Sequence, residues 1–185
     1  EAFGAEAGGR GVRLIETHIS YVLLAGEHAY KVKKAVSLGF VDCSTLALRR
    51  HYCMEELRLN RRLAPAVYRG VVAITGSVER PMLGGEGPAI EYAVKMREFP
   101  QESLLCHELE RGELTAQEID ALAAIVAAFH GRIAVAKPAD GYGSPRDVLA
   151  YARENFEHLD RLREDPAERA GLAALRGWTE RAFEA

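Results

Sequence analysis

The rhythm of hydrophobic and polar positions changes near Phe99, and that change divides the chain into two kinds of structure. Residues 1–10, "EAFGAEAGGR", are rich in Gly and Ala and read as a loose arm. From Gly11 to Val36, "GVRLIETHISYVLLAGEHAYKVKKAV" alternates or runs apolar and is broken by "AGEH", which predicts two or three strands in a meander. After the loop "LGFVDCS", Ser44 is expected to cap a long helix through "TLALRRHYCMEELRLNRRLA", closed by Pro65. "YRGVVAITGSVER" and "AIEYAVKMREF" then predict a hairpin with "PMLGGEGP" as its mobile tip. From Ser103 onward the pattern is helical: "ESLLCHELERG", a Thr115-capped "AQEIDALAAIVAAFHGRIA", a Pro/Gly loop "KPADGYGSPRD", and two amphipathic helices. Strands, one helix, two more strands and then only helices is an α+β order.

The chemistry of interest sits on the last strand of the meander, where Lys31, Lys33 and Lys34 fall within "AYKVKK". Alternation puts Ala29, Lys31 and Lys33 on one face and Tyr30, Val32 and Lys34 on the other. A sheet lysine fixed by a helix carboxylate is the arrangement with which kinases hold nucleotide phosphates. Glu55 and Glu56 stand mid-helix, and the separation of Lys31 from Glu56 suits a loop plus about two helical turns. The alternative is an edge strand whose lysines discourage aggregation, beside a solvated helix face.

Composition narrows the classes. The 185 residues are 48% hydrophobic and 28% charged, which suits a folded domain of ordinary make-up. A net charge of −3 argues against a general nucleic-acid coat, and the basic group Arg49, Arg50, Arg61 and Arg62 reads as a solvated helix face interleaved with Glu55 and Glu56. Three widely spaced cysteines, Cys43, Cys53 and Cys106, suggest neither a disulfide framework nor a zinc site, so a reducing cytoplasm is expected. The run "ALAAIVAAFHGRIAVA" is too short for a membrane span and carries His130 and Arg132. A start at Glu1 and an end in mid-helical pattern lead us to expect a piece of a longer protein.

Several stretches taken in order, "AYKVKK", "FVDCSTLALRRHYCMEELRLNRRLAP", "VVAITG", "EYAVKMREFPQESLL" and "LAAIVAAFH", resemble the N-terminal part of the aminoglycoside phosphotransferase-like kinase domain. The branch they resemble is the one fused to a C-terminal P-loop ATP-binding domain. The resemblance implies a protein-kinase-like fold: an N-lobe with its arm over residues 1–99, holding a five-stranded antiparallel sheet and one long helix. The hinge exit and first helices of an incomplete C-lobe would fill 100–185. It implies ATP and Mg2+ as cofactors and a small hydroxylated molecule as phosphate acceptor, while net charge and the short apolar runs lead us to expect no nucleic-acid or membrane partner. Lys31 matches the family's phosphate-binding lysine, with Lys33 a second candidate. Glu56, seven residues before Leu63, matches the helix glutamate. "IETHIS" stands in the place of the phosphate loop, so Thr17, His18 and Ser20 are either phosphate contacts or an ordinary β-turn. "VKMREF" matches the hinge, and Met96 there either stacks on adenine or packs in the core.

Phosphoryl transfer also needs a catalytic Asp and metal-holding Asn and Asp. The family's His-Gly-Asp-x-His-x-x-Asn loop is absent from these residues, and its expected place is beyond residue 185. "FHGRIAV" begins like that loop, but Arg132 replaces the Asp and the helical pattern makes His130 a packing residue. "DGYG" at 140–143 imitates a metal-binding motif and is a turn. The chain by itself is therefore expected to bind nucleotide without transferring phosphate; the alternative is a regulatory pseudokinase or interaction module. Apolar faces on the last two helices make self-association a further expectation.

Overall fold

The computed structural model describes Phe3, Gly8 and residues 11–184. The arm expected over residues 1–10 otherwise lies outside the described residues; Phe3 itself packs its ring on Tyr30 at 5.1 Å between centroids. The chain divides into two compact units, residues 1–129 and 130–185, and its class is α+β.

In the first unit the strands are β1 (Arg13–Glu16), β2 (Ser20–Ala25), β3 (His28–Lys33), β4 (Tyr68–Gly76), β5 (Pro81–Leu83) and β6 (Glu91–Arg97). They form one antiparallel sheet in the order β1-β2-β3-β6-β4-β5. The sixth strand departs from the five expected. β5 lies in the stretch read as a mobile tip, where Pro81 can open a short strand without donating to the ladder. It pairs with Ile74–Gly76, Gly84 N–H donates to Ala73 O at 2.8 Å, and Leu83 joins the core. That core gathers Ala25, Tyr30, Ile74 and Ala93 on one face of the sheet, with Tyr30 only 1% exposed.

Register on the other face follows from the β2–β3 turn. Gly26 and Glu27 make a two-residue connection, and Gly26 takes the positive φ of 66° that such a turn demands. Lys31 therefore stands opposite Val22 on one side and Val94 on the other, Lys33 opposite Ser20, and Ala29 opposite Leu24 and Met96.

Helix α1 (Leu46–Asn60) packs on β6 and β4 through Cys53 and Leu57, and Arg49 is buried in the same stripe. Its N-cap is Thr45, whose hydroxyl accepts from Leu48 N–H at 3.2 Å, one residue beyond the expected Ser44. The Ser44 N–H instead donates to the Asp42 carboxylate at 2.9 Å, which holds Ser44 in the preceding loop. The helix also stops before Ala64, since Asn60 turns its side-chain amide back to the Glu56 carbonyl and residues 61–63 form turns. α2 (Leu105–Glu110) and α3 (Ala116–His130) follow. Thr115 and Glu118 cap α3 reciprocally, Thr115 N–H donating to the Glu118 carboxylate at 2.8 Å and Glu118 N–H to the Thr115 hydroxyl at 3.3 Å. α3 ends at His130 rather than continuing toward Ala134, because Gly131 costs helix stability.

The second unit is a helix pair, α4 (Pro145–Leu162) and α5 (Pro166–Glu184), packed around the buried Phe156 with Arg176 over its ring at 5.5 Å. Arg153 and Glu180 join the two helices at 2.8 Å. Among the described residues no helix is long and apolar enough to cross a membrane.

Candidate functional site

Lys31 and Lys33 both reach one carboxylate. Lys31 Nζ donates to Glu56 Oε1 at 3.0 Å, and Lys33 Nζ to Glu56 Oε2 at 2.7 Å. The three are enclosed unequally: the side chains of Lys33 and Glu56 are 10% and 12% exposed, that of Lys31 28%. The ion pair considered from the spacing is thus present, with a second lysine sharing it. Lys34 points away, holding Glu16 at 2.6 Å and lying on the Tyr21 ring at 4.8 Å.

Burial alone would push the Glu56 carboxyl up, but hydrogen bonds from Lys33 and Lys31 outweigh it and hold the group below its ordinary 4.5. A depressed folded pKa stabilises the fold fully above 4.5, and the contribution is lost as pH falls through the folded value. Acid unfolding should therefore be steeper in the wild type than in Glu56→Gln below that point; parallel curves would remove the triad as an acid-sensitive element. Burial also pushes the Cys53 thiol up to about 11, with Lys33 opposing and Glu56, Glu91 and Cys43 adding to the rise. Of the three free cysteines only Cys106 is exposed. A thiol reagent such as dithionitrobenzoate should thus find one fast thiol in the folded protein and three after unfolding; fast reaction of Cys53 would contradict its enclosure.

Apolar groups flank Lys31 on the same face. Val22, Leu24, Ala29, Val94 and Met96 share it by register, forming a patch one strand position from the ammonium. Met96 is half-buried directly across from Ala29, so it borders the lysine and also packs within the sheet. Met96 was a candidate from sequence, whereas Leu24, Ala29 and Val22 were not. Strand alternation would have found them once the Gly26 turn fixed the register.

The expected phosphate loop is a tight turn. Thr17 N–H and hydroxyl both donate to Ser20 O, at 2.9 and 3.0 Å, and Ser20 N–H donates back to the Thr17 hydroxyl at 3.0 Å. Ser20 is fully buried, and among the described residues its hydroxyl has no hydrogen-bond partner. As contacts for a phosphate, Thr17 is thus engaged with the turn and Ser20 is closed off in this conformation, while His18 is exposed at the apex. The stretch matched to a hinge is mostly strand: Val94–Arg97 belongs to β6, and only Glu98 and Phe99 lie past it. A cavity of about 750 Å3 opens there, lined among others by Arg13, Leu24, His28, Arg97 and Glu98, so Leu24 borders both it and the lysine face.

The basic quartet, Arg49 and Arg50 on α1 and Arg61 and Arg62 in the turn after it, is engaged rather than simply solvated. Arg49 Nε donates to both oxygens of Glu91 at 3.0 and 2.8 Å, and its Nη1 to the carbonyls of Cys43 and Ser44 at 3.0 and 3.1 Å. Arg50 lies over the Tyr92 ring at 5.7 Å and Arg62 over Phe129 at 4.7 Å, while Arg61 donates to the carbonyls of Tyr68 and Arg69. Among the described residues no group of three or more His, Cys, Asp or Glu is gathered to hold a metal ion.

The chain is 33% identical over 148 residues to an uncharacterized protein of Mycobacterium bovis, and equally so to two uncharacterized proteins from strains of Mycobacterium tuberculosis. The matched region is 80% of this chain and 28% of each relative, so the chain spans only about 28% of their length. No family model matches the chain, and no solved structure matches it.

Proposed function

We propose that this chain forms the nucleotide-binding part of an ATP-dependent phosphotransferase with a kinase-like fold, residues 11–99 acting as its N-lobe. The observation that carries the reading is the enclosed pairing of a central-strand lysine with a carboxylate of the packed helix, beside an apolar patch on the same face. That combination fits a nucleotide: an ammonium for phosphate oxygens and, beside it, the half-buried apolar side chains of Val22 and Met96 for a base. The exposed fraction of Lys31 leaves the ammonium accessible to such a ligand.

Transfer to a small hydroxylated acceptor requires a catalytic Asp and metal ligands, which this reading assigns to other parts of a longer protein, as does a fused P-loop ATP-binding domain. Free thiols at Cys43, Cys53 and Cys106 agree with a cytoplasmic setting. Exposed Leu162, Leu175 and Trp178 on α4 and α5 offer surface for self-association.

Thermal unfolding followed by calorimetry at increasing ATP concentrations tests the reading. Saturation at about 100 times the dissociation constant should add about 2.7 kcal/mol to the stability of the wild type. The increment should vanish in Lys31→Ala. A melting temperature that ignores ATP in the wild type would favour an interaction module in which the lysines serve only the fold.

A further inference from the structure

Two lysines on one carboxylate are more than a phosphate clamp needs, and they are not equivalent. Lys33 makes the shorter contact, 2.7 Å against 3.0 Å, and is the more enclosed, 10% exposed against 28%. Its cross-strand neighbour Ser20 is fully buried, and so is Cys53 on α1, whose thiol senses the Lys33 charge. Lys31 is flanked by Val22 and Val94 and lies nearer the apolar patch at Ala29, Leu24 and Met96. Same-face neighbours along a strand are about 6.6 Å apart, so a base placed at the half-buried Met96, across from Ala29, would bring its phosphates to Lys31 before Lys33.

We propose that Lys33 is the standing counter-ion of Glu56 and that Lys31 alone is exchanged onto the phosphates of a bound nucleotide, which makes Lys33 a positioning residue. This rests on the nucleotide-binding reading above. With a single lysine, moving it to the ligand would strip a mostly buried carboxylate of its partner, a strongly disfavoured state. With two, Glu56 keeps Lys33 throughout. The triad of two ammoniums and one carboxylate also carries a net positive charge, which suits an incoming anion.

The test is a nuclear magnetic resonance titration of the 185-residue chain carrying nitrogen-15 at the lysine ammonium groups, with Lys31→Arg and Lys33→Arg used to assign the two signals. On adding ATP the Lys31 ammonium is expected to gain a scalar coupling to phosphorus across its new hydrogen bond and Lys33 to gain none, while adenosine, which has no phosphate, gives neither coupling. In the absence of ligand, Lys33→Met should lower the melting temperature more than Lys31→Met. A phosphorus coupling at Lys33, alone or together with Lys31, overturns the division of roles and leaves nucleotide binding standing. A chain whose lysine signals and melting temperature both ignore ATP overturns the nucleotide reading and this inference with it.

Discussion

Glu56→Ala is expected to destabilise the sheet-and-helix unit by about 3–5 kcal/mol, the cost of removing one partner from a buried ion pair. The loss is large because one carboxylate serves two ammoniums. Lys33, at 10% exposure, is left with a desolvated charge and no counter-ion, whereas Lys31, at 28%, recovers part of its hydration. Both lysines sit on β3, which pairs with β2 and β6 in the middle of the sheet, so the ladder fixes their backbone and only their side chains can move. Glu56→Gln should cost less, since its amide oxygen still accepts one hydrogen bond. Urea unfolding measures both variants. A loss below about 1 kcal/mol for Glu56→Ala would put the triad in the range of solvent-screened surface pairs and remove the premise that its members are held in place. On the nucleotide-binding reading the same variant also loses its ATP-dependent stabilisation, because Lys31 is then no longer aimed.

Much of this site could be read from the sequence because strand alternation is a strict rule. Placing Lys31 and Lys33 on one face and Tyr30 and Val32 on the other required no more than the period of two, and Tyr30 is indeed buried in the core. Helix position alone leaves Glu55 and Glu56 both open, and the choice of Glu56 rests on the resemblance, in which it stands seven residues before Leu63. The rest depended on information that is not local. That both lysines share one carboxylate depends on where α1 comes to rest over β6, which Cys53 and Leu57 decide by packing. The apolar wall of Val22 and Leu24 depends on the Gly26 turn, and a slip of one residue would have turned both away. Thr45 and Ser44 carry the same capping hydroxyl, so composition does not choose between them; the Asp42 carboxylate does, by holding Ser44 in the loop. β5 was hidden by Pro81, Gly84 and Gly85, which punctuate a turn in any local reading yet admit three residues paired with β4 at the edge of the sheet. Arg49 was taken with its basic neighbours because a charge count is blind to the direction of a side chain.

Arg49→Met is the second change expected to have a large effect, about 3 kcal/mol of stability, by the same loss of a partner from an enclosed pair. Its guanidinium ties three segments: the carbonyls of Cys43 and Ser44 in the loop before α1, the helix itself, and Glu91 at the start of β6. Arg49, Cys53 and Glu56 recur at four and three residues, which puts them on one side of α1 over two turns. The tether at Arg49 therefore fixes the rotation of the helix that presents Glu56 to Lys33 and Lys31. ATP affinity should fall by about tenfold in Arg49→Met, although the residue touches no part of the proposed ligand; a factor of ten corresponds to about 1.4 kcal/mol. Arg58→Met supplies the control, since its pair with Glu55 is exposed and its loss should leave both stability and affinity unchanged. The double variant Arg49→Met/Glu91→Met removes both charges and should regain much of the stability. It should not regain the affinity, because the ties to Cys43 and Ser44 remain cut. Wild-type ATP affinity in Arg49→Met would instead show that packing of Cys53 and Leu57 is enough to aim Glu56, and would confine Arg49 to stability.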